Sequence, residues 1–105
     1  MKKKVVKRYP PLPTEISAPA GPVAVEIVDD LGDTKDETVL GHFDMLTRTI
    51  RIKKKMRRER QHFTLAHEKV HLWLSDSGIQ NGLNAQLEEA ICDAVASGMM
   101  RDRFG

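Results

Sequence analysis

Thr64-Leu65-Ala66-His67-Glu68-Lys69-Val70-His71-Leu72-Trp73-Leu74 is the stretch on which this 105-residue chain turns. On a helix, residues four apart lie one above the other, so His67 and His71 can direct two imidazoles from one face at a single metal ion. Glu68, one step round, can approach a metal-bound water as general base. Leu65, Leu72 and the Val70-Trp73-Leu74 group supply the apolar surface that would bury such a helix. Five-residue patterns also arise by chance, and the plainer reading is an amphipathic core helix with two partly exposed histidines. The apolar-periodic setting, and a second helix downstream able to supply a further ligand, favour the metal.

Two histidines leave a catalytic zinc short of its usual three protein ligands. In residues 85–100, Leu87, Ala90, Ile91, Ala94, Val95 and Met99 recur at spacings of three and four, which predicts a helix with these residues facing the core. Ser75-Asp76-Ser77-Gly78 ends the first helix, with Gly78 free to take left-handed geometry, and Asn84 is a fitting N-cap for the second. This helix offers Glu88 and Glu89. Glu89 is preferred, because Asp93 lies one turn beyond it and could accept a hydrogen bond from a ligating histidine. The alternative is that Glu88, Glu89 and Asp93 form a solvated face; beside the histidine pair, the metal set His67, His71 and Glu89 is favoured.

Upstream the period changes. Val23, Val25 and Ile27 alternate with other residues and read as a strand; Gly32-Asp33-Thr34-Lys35-Asp36 is turn chemistry. Thr38-Val39-Leu40-Gly41-His42-Phe43 predicts a second strand and Thr47-Arg48-Thr49-Ile50-Arg51-Ile52-Lys53 a third, together an antiparallel meander with the last strand's edge open to an added peptide. Residues 1–22, with Lys2, Lys3 and Lys4 and then Pro10, Pro11, Pro13, Pro19 and Pro22, predict a flexible basic, proline-rich leader, ordered only where it meets a single domain at 23–105. The fold class expected is therefore α+β: a short three-stranded antiparallel sheet packed against the His-Glu-x-x-His helix and a second, glutamate-bearing helix.

Composition narrows the function classes. A formal net charge of +2 is nearly neutral, but residues 48–60 are strongly basic and residues 26–44 acidic. The basic run is read first as a solvated connection, with nucleic-acid binding possible but not favoured. The single cysteine, Cys92, excludes an intrachain disulfide and fits helix packing. No run reaches transmembrane length, and no apolar segment follows the N-terminal lysines, so no membrane association and a cytoplasmic location are expected.

His67-Glu68-Lys69-Val70-His71 with Glu89-Ala90-Ile91-Cys92-Asp93 resembles the gluzincin arrangement, His-Glu-x-x-His followed by Glu-x-x-x-Asp. More narrowly, Phe63-Thr64-Leu65-Ala66-His67-Glu68 and Cys92-Asp93-Ala94-Val95-Ala96 through Met99-Met100 look like the ImmA/IrrE family of compact metallopeptidases, found in bacteria, mobile elements and phages; the resemblance spans about residues 38–100. It implies zinc on His67, His71 and Glu89, Glu68 as catalytic base, Asp93 supporting a ligand histidine, and a minimal gluzincin-like fold. It also implies a protein substrate of regulatory type. Departures are Lys69-Val70 where small residues are frequent, Val95 where an aromatic is common, and Arg101-Asp102 in place of a proline.

The activity expected is peptide-bond hydrolysis by metal-activated water. Oxyanion support beyond the metal would come from His42, His62, Tyr9, Arg48 or Arg51; His42, next to Gly41 on the second strand, is the choice. The rival expectation is a non-enzymatic zinc-bearing interaction module that binds a partner or nucleic acid through residues 48–60.

Overall fold

The computed structural model describes residues 9–31 and 40–105. Four strands form one sheet: β1 (Glu15–Ile16), β2 (Val23–Val28), β3 (Gly41–Asp44) and β4 (Thr49–Lys53), in the order β1-β2-β4-β3. Helix α1 (Arg58–Asp76) follows, then a 3-10 turn (Ile79–Gly82) and helix α2 (Ala85–Phe104). The α+β class, with a small sheet on two helices, is the one expected. The predicted turn over 32–36, the basic start of the leader with Lys2, Lys3 and Lys4, and Thr38 and Val39 of the predicted second strand lie outside the described residues.

The sheet departs from a three-stranded meander in two ways. β3 and β4 form the expected antiparallel hairpin, but β4 then lies parallel to β2, in a register that sets Val25 beside Ile50 and Ile27 beside Ile52. This pairing lines up the apolar sides of the two β-branched strands, and Val23, Ile50 and Ile52 become fully buried. Burial of each such side chain stabilises the fold by roughly 1.5–3 kcal/mol. The fourth strand comes from the proline-rich segment, where Glu15 and Ile16 pair antiparallel with Ala24 and Val23. β4, between β2 and β3, is interior, and among the described strands the edges are β1 and β3.

The second half of the leader meets the domain along its length. His62 hydrogen-bonds the Pro10 carbonyl at 2.6 Å, Trp73 donates its indole N–H to the Ser17 carbonyl, and Leu12, Ile16 and Ala18 pack against the core. Arg48 closes this end. It takes the left-handed region (φ 48°) in the β3–β4 turn, and its guanidinium reaches both Asp76 carboxylate oxygens (3.1 and 3.0 Å) and the Gly21 carbonyl. Asp76 also accepts the Ala20 backbone N–H, so one ion pair joins the leader, the turn and the end of α1.

Helix α1 lies between the sheet and α2. Leu65 and Leu72 join the core with the valines and isoleucines of β2 and β4, and Val70 is buried as well. Gly78 takes the predicted left-handed geometry (φ 76°), and Asn84 caps α2 by accepting the Leu87 N–H at 2.8 Å. The expected core stripe of α2 is the one element rotated from its prediction. Leu87 and Val95 are 47% and 42% exposed and Ala90 and Ala94 are exposed too, while the inner face is centred on Cys92 and Ala96, with Glu88 and, of the predicted stripe, Ile91 and Met99 half-buried. Small side chains at 92 and 96 allow α2 close to α1, and they bring the carboxylates of its first turns over the histidines.

Candidate metal centre

The two histidines stand on α1 with their rings 4.8 Å apart, and their Nε2 atoms lie 3.1 Å from each other. Glu89 reaches across from α2 and contacts both: its Oε1 is 2.8 Å from His71 Nε2, and its Oε2 is 3.2 Å from His67 Nε2. The remaining ring nitrogens are held from behind. Asp93 lies 2.8 Å from His67 Nδ1, and Glu88 lies 2.5 Å from His71 Nδ1. With each Nδ1–H donated to a carboxylate, each Nε2 presents its lone pair to the Glu89 side, which is the tautomer metal ligation needs. Donor spacing tests the fit. A tetrahedral zinc with bonds of about 2.0–2.1 Å has ligand–ligand edges of about 3.3 Å, and the three ligand atoms here all lie within 4.8 Å of one another, with nitrogen and oxygen donors of the appropriate type. The residues present fit a metal ion.

Glu68 does not belong to the ligand set. It is largely withdrawn from solvent, and burial raises its carboxyl pKa above the ordinary value, although the His71 and His67 imidazoles pull the other way. Burial also pulls the His71 imidazole down, but the hydrogen bond to Glu88 and the charges of Glu68 and Glu89 prevail and hold its pKa above the usual value. Gly41 explains how the sheet comes so close to this carboxylate. A Cβ there would stand 2.7 Å from Thr64 Cγ2 and 3.3 Å from Glu68 Cγ, so only glycine lets β3 settle on α1 at this point.

Two cavities flank the centre, and both are bordered by Gly41 and Glu68. One, of about 320 Å³, runs toward Phe43, Met45, Leu72 and His71; the other, of about 360 Å³, runs toward Arg60, Phe63, His67, Glu89 and Asp93. Together they form a groove between the edge of β3 and the helices. Of the expected oxyanion donors, His42 borders the first cavity and is exposed. The others are engaged elsewhere: His62 with Pro10, Tyr9 against the Phe104 ring at 4.7 Å, Arg48 with Asp76, and Arg51 with Asp44 and Glu26.

Glu88, offered by the sequence only as an alternative ligand or part of a solvated face, has a role at the centre that the sequence alone does not assign. It is only 12% exposed, and it joins His71 to Gln80, whose amide donates to the same carboxylate oxygen at 3.2 Å. The signal that could have found it is spacing: Glu88, Cys92 and Ala96 fall four apart and so share a face of the helix. Among the described residues, no helix is long and apolar enough to cross a membrane.

One family model, Peptidase_M78, described as the IrrE N-terminal-like domain, matches residues 25–97. No curated protein and no solved structure matches the chain significantly.

Proposed function

The chain belongs to the IrrE N-terminal-like domain family, and we propose that it is a zinc-dependent peptidase acting on a protein or peptide, a regulatory protein being the substrate the family resemblance suggests. The observation that carries this reading is the convergence of His67, His71 and Glu89, each histidine backed by its own carboxylate, beside a half-buried Glu68 that has no part in ligation. A non-enzymatic zinc module needs the three ligands but has no use for Glu68 at the junction of two cavities.

His67, His71 and Glu89 would hold the metal, with Asp93 and Glu88 fixing the two rings. Zinc bound there supplies a Lewis acid for the scissile carbonyl and lowers the pKa of the attacking water. Glu68, its proton affinity raised by burial, takes the proton of that water and returns it to the leaving amine. The substrate lies extended along β3. Leu40 accepts a hydrogen bond from Lys53 N–H, and antiparallel alternation then turns the amide and carbonyl groups of Gly41 and Phe43 to the free edge, where an added strand can pair with them. We assign His42 a supporting role as a hydrogen-bond donor at the mouth of the first cavity.

The test is metal content and peptide hydrolysis measured together. Wild type and Glu68→Gln should each bind one zinc, but only wild type should turn over; His67→Ala, His71→Ala and Glu89→Ala should lose metal as well as activity. Full activity in Glu68→Gln would end the proposal.

A further inference from the structure

We infer that the cavity walled by Phe43, Met45 and Leu72 is the side-chain subsite that selects this protein's cleavage position, taking a large apolar residue on the N-terminal side of the bond that is cut. The inference rests on the peptidase reading above and adds the substrate's chemistry to it.

Three observations support it. The first is composition: on the His71 side of the centre, Phe43, Met45 and Leu72 form one apolar wall of a cavity of about 320 Å³ whose other lining includes His42, Ser75 and Gln80, whereas the His67 side sets Arg60, Glu89 and Asp93 beside Leu40 and Phe63. An apolar wall of this kind favours an apolar side chain over a polar or charged one that would have to give up water to lie against it.

The second is direction. A strand added antiparallel to β3 runs from the Asp44 end toward the Gly41 end, so its earlier residues lie by Phe43 and Met45 and its later ones by Leu40, Arg60 and Phe63. In such a pair, directly opposed residues share a face. The absent Cβ of Gly41 points at Thr64 and Glu68, so by alternation Phe43 and the substrate residue opposite it also face α1, on the cavity side.

The third is rigidity with exposure. Met45 is 73% exposed and Leu46 98%, an apolar pair that the fold does not use for its own packing. The turn that carries them is nevertheless fixed. Asp44 accepts the Leu46 and Thr47 N–H groups on one carboxylate oxygen and Arg51 on the other, and Arg48 is bound to Asp76. A fixed turn presenting the unpacked Met45 side chain at a cavity mouth is arranged for a partner's side chain.

The experiment uses the zinc-loaded chain in two forms. Binding is read on Glu68→Gln by fluorescence polarisation with labelled decapeptides, identical except for leucine, methionine, serine or aspartate at one position. Cleavage is read separately on wild type with a random peptide library, the cut sites being mapped by mass spectrometry. Peptides with leucine or methionine should bind about ten-fold or more tightly than the serine and aspartate versions. Met45→Glu, a change at an exposed position that does not burden folding, should remove that preference. In the library, large apolar residues should be enriched before the cut. Equal binding of all four peptides, no measurable binding of any, or a preference undiminished in the Met45→Glu background would overturn the subsite. Enrichment confined to positions after the cut would overturn its assigned side while leaving the peptidase reading intact, and peptide binding without any cleavage by wild type would refute the peptidase reading and with it the pocket's role in placing the cut.

Discussion

Replacing Glu88 with glutamine separates its charge from its shape. The amide keeps nearly the same volume and can still accept the His71 Nδ1–H through its oxygen, but the negative charge behind the ring is gone. Removing such a partner from a metal-bound histidine costs about 10- to 100-fold in affinity. Glu88 is 12% exposed where Asp93 is 62% exposed, so solvent can replace the contact to His67 far better than the contact to His71. Glu88→Gln should therefore approach the upper end, about 50- to 100-fold or about 2.5 kcal/mol, and Asp93→Asn should stay nearer ten-fold, about 1.4 kcal/mol. Zinc affinity is measured near neutral pH by competition with a chromogenic chelator, with circular dichroism to establish that each variant is folded. An unchanged affinity in Glu88→Gln, or a larger loss in Asp93→Asn, would refute the assignment of Glu88 as the stronger support.

Three further outcomes are expected. Gly41→Ala drives a methyl into Thr64 Cγ2 at 2.7 Å, and overpacking of this kind should lower stability by about 1–3 kcal/mol in urea unfolding; an unaltered midpoint would show that β3 does not bear on α1. The Arg48 hydrogen bonds hold the Asp76 carboxyl below the usual carboxylate range, so its contribution is complete above the ordinary aspartate pKa and is lost as pH falls through the depressed one. Between about pH 5 and 3 the thermal midpoint of wild type should accordingly fall more steeply than that of Asp76→Asn, and parallel profiles would contradict this. Burial, with nearby carboxylates, pushes the Cys92 thiol up to about 12. It should resist a disulfide-exchange reagent at pH 8 in the folded protein and react fully in urea; fast labelling of the native chain would count against that buried position.

The sequence carried the histidine pair and Glu68 because a four-residue interval on a helix leaves no freedom in where the side chains stand. Asp93 was legible for the same reason, one turn from Glu89. Glu88 was not, because the face of α2 was judged by hydrophobicity, and Leu87, Ile91 and Val95 outweigh Glu88, Cys92 and Ala96 on that measure. The helix turns its smaller stripe inward since close contact with α1 is what brings two carboxylates to two imidazoles. Strand existence was readable from the alternation of valine and isoleucine, whereas strand order was not: nothing local distinguishes β4 beside β3 alone from β4 inserted between β2 and β3. The contribution of Glu15 and Ile16 was hidden by the prolines around them, which argue against a strand interior but tolerate a short edge.

The order of elements also bears on how the chain acquires its structure. Both helices and every presumptive donor come from one contiguous segment, closed by the short connection 77–84. The parallel ladder, by contrast, must bring Ala24 to Thr49 across the whole β3 hairpin. Loop closure is easier for the first event than for the second. By the same measure the β3–β4 hairpin, closed by a still shorter turn, is as local as the helical pair, and the pairing with the largest closure cost is the one that joins β2 to β4.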